Sequence, residues 1–355
     1  LKDAKRFAAR IGSATAVTVD AVEEYVDRFL QERHADKFAL NEQMMKSRDG
    51  FSVRIARNER AHNSQRETVV IINAIGMPIA TLEKFIAKLS VAYDVLTWES
   101  RGVPSPDGTL DEQNARFARH IDDLEDMLAT YRVARAHIVG WCTGGDVALE
   151  FLNRHPDRVI SLVCMNSGFV GICSARVPFQ ESLAQIIRRV LRSPTYARLY
   201  FELMTKTRRG GLDRLAVDES LEASVEETMS HLDEDLMHLT GAPLQTPELF
   251  ERYCRLLGYY FDEAPRCVPL SSVPVMIVTS EGDELVPYAA SVAVAAAFRN
   301  SQIHFTTEGG HFAPCISEAL AQDVTNFLLR NPVSGIERNE SLVGGHENHC
   351  LEGVT

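Results

Sequence analysis

The stretch His137-Ile138-Val139-Gly140-Trp141-Cys142-Thr143-Gly144-Gly145 carries an apolar strand into a Gly-x-Cys-x-Gly-Gly turn and straight on into a helix. A strand-to-helix turn this sharp leaves room for little beside its central residue, so the positions two before and two after must be small; Gly140 and Gly144 fill them. Such a turn holds Cys142 above the sheet on strained backbone. It sets the sulfur over the first helical turn, where unpaired N–H groups favour a thiolate. Free cysteine elsewhere packs as a small hydrophobe, so further signals must decide whether Cys142 is a nucleophile.

Two such signals follow in chain order. Val273–Thr279 reads as a buried strand and runs into Ser280-Glu281-Gly282-Asp283-Glu284, which places an acid just past a strand end. Ser301–Thr307 is another strand, followed by Glu308-Gly309-Gly310-His311. Nucleophile, acid and imidazole each fall at the C-terminal end of a strand, where an open parallel sheet presents its site. Spacing from the strand favours Asp283 over its neighbours Glu281 and Glu284. Cys142 would attack an acyl carbonyl, His311 would take the proton, and Asp283 would orient the imidazole.

The rest of the chain supplies the scaffold. Phe51–Ala56 alternates like a half-buried strand, Thr68–Ile72 is apolar as a strand covered on both faces should be, and Val159–Met165 forms the strand after the nucleophile helix. Tyr93–Trp98 is a further strand, and helices are expected over about 111–128, Thr143–Arg154 and 316–329. Strand and helix alternate, which argues for an α/β, doubly wound, mostly parallel sheet. Between Asn166 and Ser272 the strand pattern stops: Leu183–Leu191, Tyr196–Met204, Leu221–Leu239 and Glu248–Tyr260 read as helices. The expected organisation is a helical extension over 1–48, a core over 49–166 and 273–330, a helical cap over 167–272 and a polar tail over 331–355. In the extension, Val22, Tyr25, Val26, Phe29 and Leu30 make an apolar helix face between 19 and 33.

With its elbow and the ordered acid and histidine, residues 50 to 330 resemble the α/β-hydrolase superfamily, in a branch with Cys where most members have Ser. Similar Gly-x-Cys-x-Gly-Gly elbows occur in dienelactone hydrolases, polyhydroxyalkanoate synthases, and some thioesterases and acyltransferases of natural-product assembly lines. The resemblance implies an oxyanion hole. Its loop after the Thr68–Ile72 strand, usually His-Gly-x, reads Asn73-Ala74-Ile75 here, which aligns the donor N–H with Ile75; the second donor is the N–H of Thr143. It also implies that Glu99 and Arg101 brace the turn after the Tyr93–Trp98 strand, with substrate contact as the alternative. The cap aromatics Phe179, Tyr196, Tyr200, Phe201, Tyr259, Tyr260 and Phe261 divide between core and an acyl pocket. Asp146 reads as a helix N-terminal acid, and Cys164 and Cys315 as packing.

Bulk properties narrow the function. The 355 residues carry 37 Lys and Arg against 49 Asp and Glu, a net charge of −12, which argues against nucleic acid and anionic membrane surfaces. Seven cysteines without a Cys-x-x-Cys pair indicate neither a disulfide framework nor a zinc site, and fit a reducing cytoplasm. His346, His349 and Cys350 sit in the polar tail and suggest no metal centre. No apolar run approaches the ~18 residues of a membrane span. The expectation is a soluble, cytoplasmic enzyme without cofactor, transferring or releasing a small or carrier-tethered acyl group through a thioester on Cys142. The alternatives are a lyase or cyclase on the same scaffold, and a non-catalytic binding protein; the N-terminal helix and the cap each offer a face for a homodimer.

Overall fold

The computed structural model describes residues 40–58, 66–103, 110–173, 176–208 and 232–333. The chain separates into two units, Leu1–Leu40 and Asn41–Thr355. The helix expected over 19–33 and the tail residues His346, His349 and Cys350 lie outside the described residues.

Eight strands, β1 (Leu40–Lys46), β2 (Ser52–Asn58), β3 (Thr68–Ile72), β4 (Asp94–Trp98), β5 (Ala136–Trp141), β6 (Val159–Met165), β7 (Val275–Ser280) and β8 (Ser301–Thr306), form one sheet in the order β1-β2-β4-β3-β5-β6-β7-β8. β2 pairs antiparallel with β4; from β4 to β8 every pairing is parallel. Parallel neighbours need crossover connections, and helices supply them: α1 (Glu83–Leu89), α2 (Ala118–Thr130), α3 (Thr143–Arg154), α4 (Pro178–Arg192), α5 (Pro194–Arg208), α6 (Glu234–Thr240), α7 (Pro247–Glu263) and α8 (Tyr288–Ala297), while α9 (Glu318–Arg330) follows the last strand. Among the described residues, α4 to α7 and short turns occupy the chain between β6 and β7, with no strand. β3, β5 and β6 are apolar and almost fully buried, and with α3 they build the centre of the core. No described helix is long and apolar enough to cross a membrane.

Two expectations need correction. The stretch up to residue 48 was expected to be helical, but Leu40–Lys46 is strand β1, added to the sheet edge beside β2. Edge position explains why its sequence hides it: one side chain, Met45, is buried along its length, so neither strand nor helix periodicity is written there. The helix expected from about 111 begins only at Ala118. Asp111 accepts the backbone N–H of Gln113 and of Asn114, at 2.8 and 2.9 Å, and so diverts the chain into a turn.

Arg101 is a brace, as its place after β4 suggests. Its side chain and that of Asp123 on α2 are both completely buried, joined by two 2.7 Å hydrogen bonds, with Asp49 as a second carboxylate partner. Glu99 is held nearer the surface beside Arg54.

Candidate active site

β5 delivers the chain to Cys142 at φ +54° and ψ −123°, a backbone conformation that L side chains rarely adopt. Its carbonyl accepts the N–H of Gly145 and its own N–H donates to the carbonyl of Met165 on β6, so hydrogen bonds on both sides hold the strain in place. The thiol is part-exposed, beyond the sheet's C-terminal edge and at the start of α3.

His311 comes from the loop after β8. Gly309 and Gly310 at φ +79° and +49° turn that loop back over the elbow, and the Trp141 indole N–H fastens it by donating to the His311 carbonyl at 3.0 Å. The His311 Nδ1 lies 3.1 Å from each carboxylate oxygen of Asp283, and both side chains are at least nineteen-twentieths buried. Glu281 and Glu284 point to solvent. With Nδ1 committed to Asp283, Nε2 is the nitrogen left to act on Cys142, whose sulfur is near enough to influence the ring. Burial alone would lower the His311 pKa. The charges of Asp283 and Cys142, with the hydrogen bond to Asp283, outweigh it, and raise the pKa from 6.5 to about 10. The structure thus brings Cys142, His311 and Asp283 into one chain of contacts.

A fourth residue in that chain, Asn166, was not singled out from sequence. It follows β6 at φ +48°, and its Nδ2 donates to Asp283 at 2.7 Å, to Ser280 Oγ at 2.8 Å and toward the Gly310 carbonyl at 3.3 Å. It therefore ties the acid loop to the histidine loop. The available signal was a polar pair, Asn166-Ser167, at the C-terminal end of a mainly apolar strand.

The oxyanion loop differs from expectation. Asn73 shapes it, accepting the Ala74 N–H at 2.8 Å and donating to the Pro78 carbonyl at 2.7 Å. The Ile75 N–H, however, is not open: it donates to the Thr143 hydroxyl at 2.7 Å. The expectation placed a bare backbone donor there, but β3 and the elbow lie so close that the first side chain of α3 reaches across. The Thr143 N–H belongs to the first residue of α3, where no intrahelical acceptor exists.

Above the elbow, α7 turns one face downward at Tyr253, Leu256, Leu257 and Tyr260, spaced i, i+3, i+4, i+7. The Tyr253 ring packs on Gly76 of the oxyanion loop, and burial together with the charge of Cys142 raises its phenol pKa. Tyr260 donates to Asp146 at 3.0 Å. Of the seven cap aromatics considered, Tyr260 is buried and bonded to Asp146 at the head of α3, and Tyr196 is exposed; Tyr253, absent from that set, packs on the oxyanion loop. Cys164 and Cys315 are buried thiols whose pKa values burial pushes up, and both pack as inert side chains.

Asp146 is fully buried one turn into α3. Its Oδ2 accepts from Tyr260 and from the Phe169 N–H at 3.3 Å while Oδ1 has no partner. Burial raises its pKa from 3.8 to about 7. A carboxyl whose folded pKa exceeds its unfolded one favours the native state while protonated, and that advantage drains away as pH rises from about 4 to 7, by about 4 kcal/mol in all. Asp146→Asn keeps an acceptor for Tyr260 and Phe169 and carries no charge. Its melting temperature relative to the parent protein is expected to climb between pH 4 and 7, by on the order of 10 °C, and to level off above pH 8. A difference independent of pH would show that Asp146 titrates normally.

The chain belongs to the alpha/beta hydrolase fold family, whose model matches residues 67–315, and it is a hydrolase-family enzyme. Among relatives, a 2-hydroxy-6-oxononadienedioate/2-hydroxy-6-oxononatrienedioate hydrolase of Klebsiella pneumoniae is 26% identical over 279 residues, covering 75% of this chain and 88% of that protein. A putative carbamate hydrolase of a Caulobacter species is 26% identical over 268 residues, covering 75% and 91%. Among solved structures, the 2-hydroxy-6-oxo-6-phenylhexa-2,4-dienoate hydrolase of a Rhodococcus strain superposes with a TM-score of 0.59 at 16% identity, over 82% of this chain and 99% of that one. These relatives are named as hydrolases. The likeness to cysteine-elbow acyltransferases and thioesterases rests on the residue at 142.

Proposed function

We propose that the protein is an acyl-transfer enzyme that carries its acyl group as a thioester on Cys142, with His311 and Asp283 completing a triad. The observation that carries the reading is a part-exposed cysteine at a strained elbow, beside an imidazole whose Nδ1 is held by a buried carboxylate. The sulfur attacks the carbonyl of an acyl donor, a C–S bond forms, and the carbonyl electron pair moves onto oxygen. Collapse expels the donor's leaving group, which takes the proton from His311. An acceptor thiol, amine or water then loses its proton to His311 and attacks the thioester, and Cys142 leaves.

Sulfur at this position favours transfer. A thioester is more open to attack by thiol or amine than the oxyester of a serine enzyme, and the α7 face, whose Tyr253 packs on the oxyanion loop, would limit the access of water. The proposed cap, over 167–272, would shape the acyl pocket, and the proposed substrate is a small-molecule or carrier-tethered acyl group of secondary metabolism, handled in the cytoplasm.

Incubation with an S-acyl N-acetylcysteamine, read by intact mass, is expected to give one acyl adduct on the native protein and none on Cys142→Ala. Adding a thiol or amine acceptor should discharge the adduct faster than water does. An adduct that survives Cys142→Ala would overturn the reading, and an alkene product without any adduct would assign the site to elimination.

A further inference from the structure

The notable departure at this site is the hydrogen bond between the Ile75 amide and the Thr143 side chain. A backbone N–H has one proton, and that of Ile75 is directed at the Thr143 Oγ1, 2.7 Å away. The threonine that receives it is 6% exposed and follows Cys142 at the start of α3. A threonine hydroxyl accepts through its lone pairs and still has one proton to give. Receiving a hydrogen bond polarises the O–H and makes it a stronger donor.

We propose that the Thr143 hydroxyl is itself an oxyanion donor, standing between the Ile75 amide and the substrate. One residue then presents two donors to the developing charge, its backbone N–H and its side-chain O–H, and Ile75 acts from behind by fixing and polarising the hydroxyl. This rests on the proposed thioester chemistry. In the tetrahedral intermediate the new S–C bond has formed and the carbonyl pair resides on oxygen, where the O–H and N–H of Thr143 meet it. No proton is transferred there, and when the intermediate collapses the pair returns to the carbonyl as the donor's C–S bond breaks.

The geometry fits the elbow's packing. Gly144, next in the chain, has its α-carbon pressed against the end of β3: a Cβ there would come within 2.4 Å of the Ile72 carbonyl and 2.7 Å of that of Asn73. The oxyanion loop and the head of α3 are therefore held at fixed separation, close enough for a two-carbon side chain to bridge them. Alanine cannot bridge, valine fills the space without a hydroxyl, and serine keeps the donor.

The test compares two reactions at the same sulfur. Acylation by an S-acyl N-acetylcysteamine passes through an oxyanion; alkylation by iodoacetamide displaces iodide and does not. Thr143→Val and Thr143→Ala are expected to slow acylation by about 100-fold to 1,000-fold, the usual cost of one lost donor, while alkylation stays within a few-fold of the parent rate. Thr143→Ser should acylate within a few-fold of the parent, and circular dichroism should show all three folded. Acylation by Thr143→Ala at the parent rate or faster would overturn the proposal, since the hydroxyl would then be idle or an obstacle in front of Ile75. Equal losses in both reactions would overturn it too, because the residue would be acting on the thiol. Failure of the parent protein to form any adduct would instead remove the acyl-transfer reading beneath it.

Discussion

His311→Ala is expected to lower single-turnover acylation of Cys142 by about a million-fold, as far as Cys142→Ala lowers acyl turnover, and the double variant should be no worse than either. The reason is that sulfur and imidazole form one device. The ring's Nδ1 is held at 3.1 Å by both oxygens of Asp283, which leaves Nε2 to serve the thiol, so neither half can move the proton alone. Asp283→Asn leaves the ring in place but removes the charge that, with Cys142, raises the His311 pKa to about 10 against the effect of burial. A loss nearer ten-thousand-fold is expected for it. Single-turnover rates on matched folded proteins decide the matter. A His311→Ala protein that keeps more than about one-hundredth of the parent rate would mean that the imidazole is not the proton carrier.

How much of this was legible in the sequence follows from burial. β3 and β6 are buried along almost their whole length, so their residues are mainly apolar and their limits, Thr68–Ile72 and Val159–Met165, stand out in the chain. The triad was legible for a related reason: polar residues that end such strands, beside glycines, have few other uses. β1 was not, because an edge strand with a single buried side chain follows no burial pattern. Nor was the Thr143 bridge. The sequence places a hydroxyl after the cysteine, but whether it reaches Ile75 depends on a separation set by how α3 packs on β3. Asn166 lies between these cases: its polarity at a strand end was visible, its three partners in the acid and histidine loops were not. Tyr253 shares its helical face with Tyr260, and the α7 periodicity alone groups them.

The glycines of the elbow set the largest expected stability effects, and they differ in kind. A Cβ on Gly140 would stand 2.3 Å from the Gly144 carbonyl oxygen and 2.6 Å from the Gly145 nitrogen, and one on Gly144 would stand 2.4 Å from the Ile72 carbonyl oxygen. All of these atoms are backbone, locked in β3 or α3. Relief requires separating β5 from α3 or α3 from β3, so Gly140→Ala and Gly144→Ala should each cost at least about 4 kcal/mol or leave the protein insoluble. Gly145 is crowded by a side chain: its Cβ would come within 1.8 Å of Ser167 Oγ and 2.8 Å of Ser167 Cβ. Deleting that side chain opens the space. Gly145→Ala alone should therefore be as damaging as the other two, whereas Gly145→Ala combined with Ser167→Gly should regain most of the loss, a coupling of about 2 to 3 kcal/mol by denaturant titration. Ser167→Gly combined with Gly144→Ala should recover nothing, since the oxygen opposing residue 144 belongs to the main chain of Ile72. If it did recover the protein, the elbow would be yielding as a whole rather than clashing at named atoms, and the rigidity assigned to the Cys142 turn would be lost with it.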